Sequence, residues 1–445
     1  MKRLSFPKGF KWGVATAAHQ NEGNNFNNDF WAWEQDPAHI ADGSKSGLAC
    51  NWWEHAEEDI DRAAGLGLNA LRLSVEWSRL EPEEGRWEPK AFARYREMLT
   101  YLLEKGISPH ITLHHFTNPL WLAEKGGWAH PEVVELFERF AEKVAQELGD
   151  LCEQWSTINE PSVYAALAYV AGRWYPGQEN LSEALKVMRH QILAHHRAYE
   201  AVKRIRPEAE VGPVHHLIDF APSQKGLPHR LAVSTRAWML NWLVPEGIAE
   251  RRFPFPLSLN QKFEAPSEAM DYIGINYYGR HLLKFSTSAW RALFTEEVDA
   301  DPAKAWPEPW ADREIHPQGL YELIMEVDRR YGKPIYITEN GLADASGTKR
   351  PEFLLRHLAE VHRAIQAGAD VRGFFHWTLV DNYEWTEGWE TRFGLFALDP
   401  NTQKRSPRRS ALLIREIVQA HAITEQIVDT YLGESAEQFW DAYSG

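Results

Sequence analysis

The chain of 445 residues contains only two cysteines, Cys50 and Cys152. That is too few for a disulfide framework, a zinc cluster or an iron–sulfur site, and it suits a reducing compartment. Basic residues are in deficit: 48 Lys and Arg stand against 63 Asp and Glu, a formal charge of −15. A surface of that sign repels phosphate backbones and anionic bilayers, which argues against nucleic acid and membrane partners. Long apolar runs are missing as well. Lys2 and Arg3 are followed by Pro7, Lys8 and Lys11, so no secretory apolar segment develops, and no run approaches membrane-spanning length. These absences together predict a cytoplasmic location. No tract is of low complexity, and 44% hydrophobic with 25% charged residues favours a packed core over disorder.

What the chain does have is an alternation. Short β-prone runs recur at 10–17, 68–74, 107–115, 154–159, 209–214, 272–277, 334–339 and 371–377. Helical patterns lie between them. In one, Val133, Leu136, Phe137, Phe140, Val144 and Leu148 follow Pro131 at three- to four-residue spacing and stop before Gly149. In another, Leu354, Leu358, Val361 and Ile365 share a face between Pro351 and Gly368. Strands alternating with helices imply a parallel sheet, and eight repeats predict a closed (β/α)₈ barrel forming one catalytic domain over 1–445. The rival is an open doubly wound sheet, to which Gly65-Leu66-Gly67-Leu68-Asn69-Ala70 bears a superficial likeness. Its glycines follow a helix and precede a strand, whereas a phosphate-binding turn needs the reverse order, so they read as a helix stop. Stretches 23–51, 280–315 and 382–409 read as long loops after strands, and 424–445 as a surface helix.

Two of the runs end on a glutamate: Thr157-Ile158-Asn159-Glu160-Pro161 and Ile337-Thr338-Glu339-Asn340-Gly341. In a parallel barrel both would face the end where active sites are built, and a pair of carboxyls can break a glycosidic bond. Either glutamate alone could be a loop salt bridge. Arg72, His114, His115, Asn159, Asn276, Tyr277, Tyr278 and Trp377 also fall at strand ends. Such a ring is costly unless a polar ligand meets it, and a sugar, with hydroxyls on its edge and C–H groups on its faces, matches polar groups interleaved with aromatics. Histidines adjoin at 114/115, 195/196 and 215/216, but neighbours on a strand point to opposite faces and there is no His-Glu-x-x-His pattern, so no catalytic metal is expected.

Seven segments in order resemble glycoside hydrolase family 1, the retaining β-glycosidases, over nearly the whole chain. They are Phe10 through Gln20 with Glu22-Gly23, Leu71-Arg72-Leu73-Ser74, Thr112-Leu113-His114-His115-Phe116, the two glutamate segments, Gly274-Ile275-Asn276-Tyr277-Tyr278, and Trp377 through Asp381-Asn382-Tyr383-Glu384-Trp385 to Arg392-Phe393-Gly394. The resemblance implies a (β/α)₈ barrel with Glu160 as acid/base and Glu339 as nucleophile, and no cofactor. It implies that Gln20, His115, Asn159, Trp377, Glu384 and Trp385 hold the sugar, while Arg72, Asn276 and Tyr278 orient and charge-stabilise the nucleophile. The implied substrates are small β-glucosides and oligosaccharides, with β-galactosides and β-fucosides alongside.

Electrostatics then predicts an ionised Glu339 beside Arg72 and a protonated Glu160 beside that second negative charge, with about 5 Å between the carboxyls as retention requires. A charged Glu384 would repel a 6-phosphate, which disfavours a 6-phospho-β-glycosidase; a sugar-binding protein without catalysis is the other alternative. Phe116 stands where the family commonly has Trp, His19 where Tyr is usual, and Ser162 where Trp often lines the leaving-group site. Trp174 and Tyr175 are candidates to replace that platform, or simply to pack their loop.

Overall fold

In the computed structural model, which describes residues 2–266, 268–289, 292–307 and 310–443, eight parallel strands close into a barrel. They are β1 (Lys11–Ala15), β2 (Ala70–Ser74), β3 (Ser108–His114), β4 (Gln154–Asn159), β5 (Glu210–His216), β6 (Ile273–Tyr277), β7 (Ile335–Asn340) and β8 (Val371–Trp377). Each pairs with its sequence neighbours, and β8 closes on β1 through Trp377 beside Ala15. All eight coincide with the runs identified in the sequence. They are buried almost end to end because helices cover the outside and side chains fill the inside.

The covering helices form where their apolar spacing says they should. Val133–Leu148 buries Val133, Leu136, Phe137, Phe140, Val144 and Leu148, each buried side chain of this size being worth about 1.5–3 kcal/mol. Arg350–Gln366 buries Leu354, Leu358 and Val361, with Ile365 partly covered. Trp52–Gly65 ends as the glycines require: Gly67 has φ +78, a left-handed conformation, and Leu68 N–H returns to the Ala63 carbonyl at 3.2 Å.

Two expectations need correction. The stretch 280–315 is not simply loop: Arg280–Phe285 pairs with Asp219–Pro222, Thr295–Val298 and Arg313–Glu314 in a small sheet outside the barrel. The segment 424–445 is not a surface helix either. Ala422–Thr424 pairs with Arg3–Ser5, helices follow at Glu425–Leu432 and Ala436–Tyr443, and Phe439 and Trp440 are buried. Of the other stretches, 23–51 holds a helix at Asp29–Trp33 and 382–409 a hairpin of Phe396–Leu398 with Arg405–Pro407. No helix among the described residues is long and apolar enough to cross a membrane.

Candidate active site

The carboxyl ends of the strands deliver the polar ring. Arg72 lies on β2, His115 follows β3, Asn159 ends β4 and Glu160 comes next, Asn276 lies on β6 with Tyr278 just beyond, Glu339 lies on β7 and Trp377 ends β8. Glu160 sits at φ 47, ψ 56, left-handed for a residue with a side chain. That conformation costs about 1–2 kcal/mol; its amide bonds to the Val214 carbonyl at 2.9 Å, and helix Pro161–Tyr169 starts immediately after it. The loop after β7 can approach β8 only because residue 341 is glycine: a Cβ there would lie 2.1 Å from the Trp377 carbonyl oxygen.

One hydrogen-bonded network joins the two glutamates. Arg72, fully buried, donates from Nη1 to Glu339 Oε1 at 2.5 Å, from Nη2 to Asn159 Oδ1 at 2.7 Å and from Nε to Thr112 Oγ1 at 3.0 Å. Tyr278 donates to Glu339 Oε2 at 2.7 Å. Asn276 reaches both glutamates: its Nδ2 donates to Glu160 Oε1 at 2.7 Å and to Asn159 Oδ1 at 3.1 Å, its Oδ1 accepts from Thr338, and its hydrogen bonding also lowers Glu339. With Oδ1 taken by two donors, Asn159 must offer Nδ2 to His115 Nε2, at 3.2 Å. His115 therefore carries its proton on Nδ1, a buried donor with no protein partner. Burial, reinforced by the Arg72 charge, holds His115 well below the usual histidine range and so neutral.

The same burial separates the two carboxyls in character. Glu160 is pushed up to about 8, first by desolvation and then by the charge of Glu339. Glu339 is also lifted by burial, but the Arg72 cation and the Tyr278 and Arg72 hydrogen bonds pull it back. Arg72 and Arg313 lower Glu160 too, but neither is hydrogen-bonded to it, which makes Glu160 the more readily protonated of the pair. Desolvation raises the Glu384 carboxyl well above the usual range, against a 3.0 Å hydrogen bond from Trp377 Nε1.

These side chains enclose a cavity of about 160 Å³ lined by both glutamates, Gln20, His115, Asn159, Tyr278, Trp377, Glu384 and Trp385. Gln20 donates to the Tyr383 carbonyl at 2.9 Å and leaves Oε1 as a buried acceptor without a partner. The sequence carries the same assignment through its family relationships. The pattern of glycosyl hydrolase family 1 matches residues 2–423. The chain belongs to glycosyl hydrolase family 1. It is 31% identical to β-glucosidase A of Thermotoga maritima, over 96% of this chain and all of that one, and 31% identical to a β-galactosidase of Saccharolobus solfataricus, over 95% and 97%. Among solved structures, the β-glycosidase from Pyrococcus horikoshii superposes with a TM-score of 0.88 at 37% identity, covering 97% of this chain and 98% of that one.

Aromatic side chains around Phe116 form one wall of the cavity. Trp174 lines the cavity with its ring 4.7 Å from Phe116 and 5.7 Å from Trp385. Tyr175 turns away, edge-on to Trp33, and does not line it. His19 lies flat against Trp385 at 5.8 Å, its Nδ1 bonded to Asn28. Sequence reasoning gave no site role to Val163, Leu167, Arg173, His216, Trp310, Arg313, Glu387 and Phe393, which complete the lining with Phe116. Phe393 lay within a quoted family segment, Trp310, Arg313 and Glu387 within stretches read as loop, and His216 in a histidine pair weighed only as a metal ligand; Arg173 gave no signal beyond its neighbours. Among the described residues one trio of metal-capable groups stands together, His281, Glu297 and Asp312, with ligand atoms within 4.8 Å. Arg236 already holds Glu297 at 2.6 Å, which makes the trio part of an ion-pair cluster.

Proposed function

We propose that this family 1 β-glycosidase is a retaining exo-enzyme that releases terminal non-reducing β-D-glucosyl residues from small glucosides and oligosaccharides, with β-galactosyl and β-fucosyl residues as further substrates. The observation that carries the reading is the Arg72–Asn159–Asn276 network, which holds one buried carboxyl against a cation and the other against a neutral amide donor. A cavity of 160 Å³ is smaller than the roughly 300–1,000 Å³ of a drug-sized ligand site, which suits one terminal sugar rather than an internal segment.

The chemistry follows from that asymmetry. Glu160, protonated near neutrality, gives its proton to the departing oxygen while Glu339 attacks the anomeric carbon. Esterification removes the Glu339 charge, and with it one cause of the raised Glu160 pKa. Glu160 then loses its proton more readily and activates water, or a sugar acceptor in its place. Retention requires the carboxyls to stand about 5 Å apart. Gln20 Oε1, His115 Nδ1–H and the Glu384 carboxyl supply acceptor, donor and either role for sugar hydroxyls. No lysine is among the residues lining this cavity, so a 6-phosphate beside Glu384 would lack a lysine partner.

The test is kcat/KM on p-nitrophenyl β-glucoside, β-galactoside, β-fucoside, β-mannoside and 6-phospho-β-glucoside. Dominant β-glucoside or β-fucoside turnover is expected. Preference for the phosphorylated sugar would overturn the specificity, and silence on all five would overturn catalysis itself.

A further inference from the structure

The catalytic cavity opens into a larger chamber of about 840 Å³, and Val163, Leu167, Arg173, His216, Trp310 and Arg313 line both. Val163 and Leu167 belong to the helix that starts after Glu160, so the shared wall lies on the acid/base side, toward which a leaving group departs. The chamber's cations are not equivalent. Arg173 is held by Glu387 at 2.8 Å, and Arg236 by Glu297 at 2.6 Å. Arg313 lies over Trp310 at 4.0 Å and Trp306 at 5.7 Å, and its buried Nε has no hydrogen-bond partner. Among the described residues no carboxylate forms an ion pair with it. Asp299 and Asp312 line only the outer chamber, while burial keeps His216 and His281 neutral at ordinary pH.

The Arg313 guanidinium is partly exposed to the chamber and feels Asp312, Glu387 and Glu297 only through space, and its planar fork matches a carboxylate in two parallel hydrogen bonds. The two tryptophans give an aromatic aglycone an apolar wall beside that fork. We propose that the chamber is a leaving-group site selective for aromatic aglycones that carry a carboxylate, with Arg313 as the anchor. This rests on Glu160 and Glu339 being the catalytic pair.

The experiment compares 4-carboxyphenyl β-glucoside with its methyl ester in the wild type, Arg313→Met and Arg313→Lys. Taking the acid-to-ester ratio of kcat/KM within each variant, and then comparing variants, cancels the intrinsic difference between the two leaving groups. The ratio is expected to fall about tenfold or more in Arg313→Met, as for loss of a hydrogen bond to a charged group, mainly through KM, and to be partly kept in Arg313→Lys. Wild-type product inhibition gives a second readout that needs no variant: 4-hydroxybenzoate should bind more tightly than its methyl ester, with an advantage that shrinks as salt rises. An unchanged ratio in Arg313→Met, or equal inhibition by acid and ester, would overturn the proposal. If the wild type hydrolysed neither glucoside nor p-nitrophenyl β-glucoside, the reading of the catalytic pair would fail, and this proposal with it.

Discussion

Replacing Arg72 by Met removes the only cation among the described residues that is hydrogen-bonded to Glu339, while keeping a side chain of similar length. Arg72 is fully exposed to its partners and not at all to water, so its loss leaves Glu339 Oε1 buried without the donor it had at 2.5 Å. Breaking a buried pair from one side costs about 3–5 kcal/mol, and without the cation that pulls it down Glu339 is raised further. The sign follows directly. Glu339 must be ionised to attack, so the acidic limb of the kcat/KM profile moves to higher pH. Arg72 also lowers Glu160, so its loss moves the alkaline limb to higher pH as well and the whole bell shifts upward. If the whole cost reached the transition state, kcat/KM would drop by about 10²–10⁴. The assay is the pH dependence of p-nitrophenyl β-glucoside hydrolysis, with circular dichroism to show that the barrel persists. Arg72→Lys restores the charge without the fork and should recover part of the loss. A folded Arg72→Met enzyme within threefold of wild type, with an unmoved acidic limb, would refute the reasoning.

The wild-type alkaline limb should fall near pH 8, where Glu160 gives up its proton, and pH profiles of Glu160→Ala should lack it. In that variant a 2,4-dinitrophenyl glucoside, whose leaving group needs no proton, should still form the glycosyl-enzyme; azide should accelerate its breakdown and yield the β-glucosyl azide, whereas an α product would contradict retention. Trp440→Ala should cost up to about 3–5 kcal/mol of stability, because the ring is buried in the C-terminal segment. Calorimetry would show this as a lower Tm, with kcat unchanged at temperatures well below the transition.

The barrel was legible because each strand is a short apolar run between helices with their own 3.6-residue spacing, and because parallel strands covered on both faces need no polar alternation. The outer sheet was not. Arg280–Phe285 and Thr295–Val298 have half-exposed, charge-rich sequences whose strand character comes from partners distant in the chain. The C-terminal segment misled for a related reason: its acidic residues suggested a solvated helix, yet Phe439 and Trp440 provide a buried face. At the site, sequence motifs located the side chains that arrive on strand ends, apart from His216 at the end of β5. They could not place Arg313, whose position depends on the fold of the outer sheet, nor separate Trp174 from Tyr175, adjacent aromatics that point in different directions. Charge was the least legible property. Glu384 reads as an ordinary loop carboxylate in one dimension, and only its burial shows why its carboxyl is raised well above the usual range.

The most direct test of the central claim is to trap the covalent intermediate. Incubation with 2-deoxy-2-fluoro-β-glucosyl fluoride, followed by proteolysis and mass spectrometry, should find one fluoroglucosyl group, esterified to Glu339. The label should be absent from Glu339→Gln, and normal turnover should give the β-anomer as first product. A label on any other residue, or rapid turnover with the α-anomer first and no label at all, would contradict the account.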